Sequence, residues 1–138
     1  MKSPFIASLM LAGFLIVPCA AQSNFTSTPV LKTSTTAAGS QIVYPRTDSA
    51  EVSAVVVDMQ PGADSGPHLH PIPAVIYMLD GAIEVKTDGA GTRTYKTGDA
   101  LVEAVNAWHS VKNVGAGHAR FLVVFTGVRG RPNSKRPA

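Results

Sequence analysis

The chain has 138 residues, of which 45% are hydrophobic and 15% charged, with a formal net charge of +3. That length allows one domain with a real core, and the composition is that of a globular protein rather than a disordered one. Residues 22–128 carry seven Lys/Arg against nine Asp/Glu, a net of −2, so the domain lacks the basic face that a nucleic-acid binder presents.

At the N-terminus, Met1–Lys2 is followed by the apolar run Phe5–Val17, the breaker Pro18, and Cys19-Ala20-Ala21 before Gln22. That order predicts a secretory signal peptide over residues 1–21. The apolar run is shorter than the ~20 residues a bilayer span needs, so an uncleaved membrane anchor is the lesser reading. Pro18 directly before Cys19 argues against a lipoprotein signal. The expected mature chain is periplasmic or secreted, with no stable membrane anchor. It has no cysteine either, and hence no disulfide and no thiolate ligand.

Residues 22–41 are rich in Ser, Thr and Ala and predict a flexible linker, with Val30–Leu31 as the one place for a short strand. Residues 42–128 form the domain. Its apolar stretches are short and punctuated by Gly, Pro, Asp and Asn. They predict strands over Val52–Met59, Val75–Leu79, Ile83–Thr87, Thr92–Lys96, Ala100–Ala104, His109–Asn113 and Ala119–Thr126. The glycine-bearing spots Asp88–Gly91 and Gly115–Gly117 open no helix and predict hairpin turns rather than a phosphate loop. No segment has the length and 3.6-residue period of a helix, so the class is all-β, a sandwich or barrel. The last ten residues, Arg129–Ala138, hold four positive charges and no negative one and read as a solvated tail.

His68 and His70 are separated by one residue, which on an extended strand turns both imidazoles to one face. Neutral imidazole is a good donor for Zn, Fe, Ni and Cu. Alone, this pair is a weak signal, since such histidines are often surface or core residues. Its surroundings strengthen it. Gly62 precedes His68 by five intervening residues, and Gly81 follows Ala74 by six. Further on come Gly98, then Ala104-Val-Asn106-Ala-Trp-His109, then Asn113.

This spacing resembles the two motifs of the cupin superfamily, over Gly62–Asn113. The resemblance implies a double-sheet jelly-roll barrel. It implies that His68 and His70 lie on one strand, with His109 on a neighbouring one, as three metal ligands facing the barrel mouth. Two departures matter. The family's glutamate falls at Ala74, which cannot bind a metal. The family's second-motif proline and glycine are replaced by Ala104 and Asn106. A three-imidazole site lacks one hard oxygen donor, which disfavours Mn. Fe(II) is the first expectation for the metal, with Zn, Ni, Cu or Mn as the others.

Glu103 lies in the apolar run Ala-Leu-Val-Glu-Ala-Val, where a buried carboxylate is costly unless paired or metal-bound. Three readings stand: a fourth ligand, a general acid or base beside the metal, or a solvent-facing residue. A catalytic role is the leading one. His118, isolated after Gly117, is not expected to bind metal. Asp99 reads as a turn-stabilising side chain, and Trp108 as packing at the barrel rim. Pro71 and Pro73 cannot donate to a ladder and should sit at an edge or bulge. Cupins span many reactions. The expected function is a metal-dependent, dioxygenase-like oxidoreductase acting on a small organic molecule. The rival is a non-catalytic module that binds a small ligand or metal. A domain this small, resembling proteins that commonly pair through sheet edges, is expected to be a homodimer.

Overall fold

Turn residues at close intervals cut the domain into seven strands and no helix among the residues that the structure, a computed structural model, describes, 24–138. The expected signal peptide, residues 1–21, lies outside them. The strands are β1 (Ala50–Met59), β2 (Ala74–Asp80), β3 (Ala82–Thr87), β4 (Gly91–Lys96), β5 (Ala100–Val102), β6 (His109–Asn113) and β7 (Ala119–Val128). Each falls on a predicted stretch with ends moved by two residues at most. The all-β jelly-roll expectation holds.

Two antiparallel sheets form, one in the order β1-β7-β2-β5 and the other β4-β3-β6. Side chains alternate across a strand with period two, and the inward set is apolar. Ala74, Ile76 and Met78 of β2, Ile83 and Val85 of β3, Leu101 of β5, Val111 of β6, and Phe121 and Val123 of β7 make one buried cluster. Truncating a buried phenylalanine such as Phe121 to alanine costs about 3–5 kcal/mol in such a core.

Asp88–Gly91 is the β3–β4 hairpin turn, as expected, with Thr87 paired to Gly91. Gly115–Gly117 is different. It joins β6 of the smaller sheet to β7 of the larger, so it is a corner between sheets and not a hairpin. A glycine-rich turn shows that the chain bends, but not which sheet the next strand joins.

Both flanks of the domain carry docked residues. No strand forms at Val30–Leu31, but Thr36 is buried, and the Ala37 N–H donates to the Val102 carbonyl at 2.7 Å. The basic tail returns to the barrel: Leu69 and Lys135 exchange backbone hydrogen bonds of 3.0 and 2.9 Å.

Candidate metal centre

Prolines decide how the histidine pair is held. Pro67, Pro71 and Pro73 have no N–H to give a ladder, and His68-Leu69-His70 is accordingly not part of a regular strand. It is an extended segment tied by single bridges, His68 to His109, Leu69 to Lys135 and His70 to Val105. Pro73 is fully buried immediately before β2, and its carbonyl accepts from the Thr126 N–H at 3.1 Å and the Thr126 hydroxyl at 3.0 Å. His109 opens β6 and exchanges backbone bonds of 2.8 and 2.9 Å with His68. Bridge and strand bring the three rings together, with centroids 4.4–5.1 Å apart.

Glu103 completes the group. Val75 pairs with Val102, and one step on the Glu103 N–H donates to the Ala74 carbonyl at 2.9 Å. Glu103 is therefore the cross-strand neighbour of the position at which the cupin motif carries its glutamate. Ala74 is wholly buried and small, and the Glu103 carboxylate is only 3% exposed. Its Oε2 lies 3.2 Å from His70 Nε2 and its Oε1 3.4 Å from His109 Nε2. The solvent-facing reading of Glu103 is excluded by this placement. One atom from each of His68, His70, Glu103 and His109 lies within 4.8 Å of the others. His118 is exposed and apart from the cluster.

The ring orientations suit a cation. His68 Nδ1 is 3.0 Å from the Gly66 carbonyl, His70 Nδ1 2.8 Å from the Asn133 carbonyl, and His109 Nδ1 3.0 Å from the Ala107 carbonyl. A carbonyl only accepts, so each Nδ1 carries its hydrogen and each neutral ring keeps its lone pair on Nε2. That is how metal-binding histidines are oriented. His109 Nε2 is buried, and despite lying 3.4 Å from Glu103 it makes no aligned hydrogen bond. An orphaned buried nitrogen is costly. Two donors about 2.1 Å from one ion sit about 3.0–3.4 Å apart at octahedral and tetrahedral angles, which matches the carboxylate–imidazole separations. The cluster can hold a divalent metal ion. A carboxylate among the donors also removes the reason for disfavouring Mn.

Without a metal the carboxylate and rings answer one another. Burial opposes ionisation of Glu103, but the adjoining His109 and His70 rings outweigh it and hold the carboxyl down at about 2. Burial likewise disfavours the His109 cation, and the Glu103 carboxylate overcomes that to raise the ring above its ordinary value. His68 goes the other way, lowered by its own burial.

The remaining motif residues are structural. Buried Asn113 donates from Nδ2 to the Met59 and Gly117 carbonyls, both at 2.9 Å, and accepts from the Gly115 N–H. It pins the β6–β7 corner to the end of β1. Asp99 accepts from the Lys96 N–H at 2.9 Å, the turn role expected. Trp108 is half-buried beside Pro67 at a shallow surface pocket. Asn106 takes φ +55°, a left-handed conformation that asparagine tolerates better than most residues. The turn thus keeps its shape without glycine.

In front of the cluster a cavity of about 430 Å³ opens between the sheets. Its walls are mainly apolar, including Val57, Met59, Ile76, Val111, Phe121 and Phe125, with His68, His70 and Glu103 at one side.

The family model described as a cupin domain matches residues 55–125, over half the chain. The chain belongs to the cupin superfamily. Among solved cupin-like structures it resembles an oxalate oxidase, with 27% identity and a TM-score of 0.50 over 55% of this chain and 42% of that one. It also resembles a sugar phosphate isomerase from Silicibacter pomeroyi, with 26% identity and a TM-score of 0.50 over 56% and 51%. A DMSP lyase from Ruegeria pomeroyi shares 24% identity, with a TM-score of 0.55 over 64% and 43%, a likeness of fold alone. This cupin spans about half the length of these chains or less. No curated protein is significantly similar in sequence.

Proposed function

We propose that this cupin is a metal-dependent oxidoreductase of dioxygenase type acting on a small, largely apolar organic molecule, with His68, His70, His109 and Glu103 as the ligands of a divalent metal, Fe(II) foremost. The observation that carries this reading is a buried carboxylate clustered with three imidazoles, one ligand atom of each lying within 4.8 Å of the others, at the wall of an open cavity. When bound, the metal supplies Lewis acidity and open coordination positions for substrate and dioxygen. The protein's own part is to orient the rings through their Nδ1 hydrogens and to keep water from the apolar walls. Glu103 also lines the cavity, where a carboxylate oxygen can accept a proton from bound substrate. Among the described residues no Lys or Arg lines the cavity, which disfavours anions such as oxalate or a sugar phosphate. The apolar walls also suit the second reading, a non-catalytic module that binds a small ligand or metal, in which Glu103 serves as a ligand alone.

The test is metal content with a rescue. His68→Ala, His70→Ala and His109→Ala should each strip the metal, while His118→Ala should not. Glu103→Ala should weaken binding, and adding Ala74→Glu, which returns the carboxylate to the other strand, should restore it. Equal metal retention in all variants would refute the site. Oxygen-consumption screening of the loaded protein then separates enzyme from binder.

Two further readings belong with this one. The protein is exported by residues 1–21, which N-terminal sequencing of cellular protein checks. It pairs as a homodimer through β1, the edge of the larger sheet, where Val52, Val55 and Val56 are exposed; such edges invite pairing. Sedimentation giving a monomer at high micromolar concentration counts against the dimer.

A further inference from the structure

Three rings face the centre, but only one depends on a distant piece of chain for its orientation. His68 and His109 each use the carbonyl two residues before them, Gly66 and Ala107. That bond travels with the local backbone. His70 does not use the equivalent local carbonyl, that of His68, which accepts from the His109 N–H at 2.8 Å. Its Nδ1 partner is the Asn133 carbonyl at 2.8 Å, 63 residues away.

We propose that the C-terminal segment Arg131–Arg136 is a strap that fixes the tautomer of His70 and thereby sets the metal affinity of the centre. The inference rests on the metal-site reading above. Four contacts hold the strap. Lys135 is paired in both directions with Leu69, inside the histidine segment itself. Arg136 Nη1 donates to the Ser65 carbonyl at 2.8 Å. Asn133 Nδ2 donates to Ser53 Oγ of β1 at 2.8 Å. The Asn133 side chain also fills the space left by Gly127 of β7, where an added Cβ would come within 2.7 Å of Asn133 Oδ1. The side chain is keyed into the barrel wall, and the key points its carbonyl at His70. With that carbonyl in place, the hydrogen stays on Nδ1 and Nε2 presents its lone pair beside Glu103. With the strap detached, the hydrogen is free to move to Nε2, where it donates to Glu103 3.2 Å away. Ligand nitrogen and carboxylate are then tied to each other rather than to a metal. Asn133 is a positioning residue and touches neither metal nor substrate.

The full-length chain tests this with two measurements. One is Zn²⁺ or Co²⁺ affinity by competition with a chelator. The other is the ring ¹⁵N shifts of the metal-free protein, which distinguish the two histidine tautomers. Asn133→Ala removes the key, and Lys135→Pro removes the N–H that pairs with Leu69. Lys135→Ala keeps that N–H and is the control. Both disrupting variants should weaken metal binding by about 10–100-fold, the usual effect of losing a hydrogen-bond partner behind a ligand histidine. Both should move His70 toward the Nε2–H form while His68 and His109 stay as they are, and Lys135→Ala should match the unaltered protein. If Lys135→Pro does not fold, Asn133→Ala decides alone. Unchanged affinity, or weaker binding with the His70 signals unmoved, overturns the strap. An unaltered protein that binds no metal refutes the metal-site reading instead, and the tautomer measurement still stands.

Discussion

Asn106 is the one non-glycine residue among those described with a positive φ. Its substitutions separate backbone strain from site chemistry. Asn106→Gly should leave stability within about 0.5 kcal/mol, whereas Asn106→Val, a β-branched side chain forced into the left-handed region, should cost about 1–2 kcal/mol; denaturant unfolding checks both. Glu103→Gln asks what the carboxylate does, since it keeps size but loses charge. Weaker metal binding is expected of a ligand. Metal retained with turnover lowered by about 10²–10⁴-fold would instead make Glu103 a base alone, and metal analysis beside kinetics separates the two. The histidines were legible in the sequence because His-x-His carries its geometry in its spacing. Glu103 stood out only as a charge in an apolar run. That it lies across from the position of the missing carboxylate, Ala74, depends on the β2–β5 register, which no spacing along the chain encodes. The Asn133 carbonyl was still further from view, being backbone and in a segment whose composition suggested a free tail.

Among the elements, the β2–β3 corner is the least forgiving. Gly81 has φ +75°, and a Cβ there would stand 2.5 Å from the His118 carbonyl oxygen and 2.9 Å from Ala119 Cα. Neither neighbour is a movable side-chain tip. Gly81→Ala should therefore cost roughly 2–4 kcal/mol. Gly89→Ala, in the β3–β4 hairpin with φ +76° and open space around it, should lose only the backbone term of about 1 kcal/mol. Thermal or denaturant unfolding of the pair gives the difference directly. Strand positions were readable because β-branched runs end at Gly, Pro and Asp. The partition of strands between sheets was not, since both hairpins and corners are built from the same small residues.

For the whole molecule, the proposed metal and the proton would compete for the same nitrogens. Neutral rings are required for binding, so binding expels the protons that Glu103 helps His109 to keep. The thermal stabilisation conferred by Zn²⁺ should therefore be larger at about pH 8 than at about pH 6, and a chelator should abolish it; calorimetry with and without metal measures both. In the metal-free protein Glu103 makes a contribution of the same sign in a lower pH window. Its carboxyl is lowered to about 2, so its contribution is complete above the ordinary carboxylate range and is lost as pH falls from there toward 2.

The pairing of β1 with β7 runs from Ala50 with Val128 to Met59 with Ala119, and this seam joins the start of the barrel to its end. A growing polypeptide cannot close it before Val128 has been synthesised, and the carbonyl behind His70 follows later still. Until then His70 lacks the carbonyl that orients its ring. On the proposed metal-site reading, loading is thus an event in the life of the finished molecule, and the ion acquired is set by what is available where folding ends rather than where translation begins.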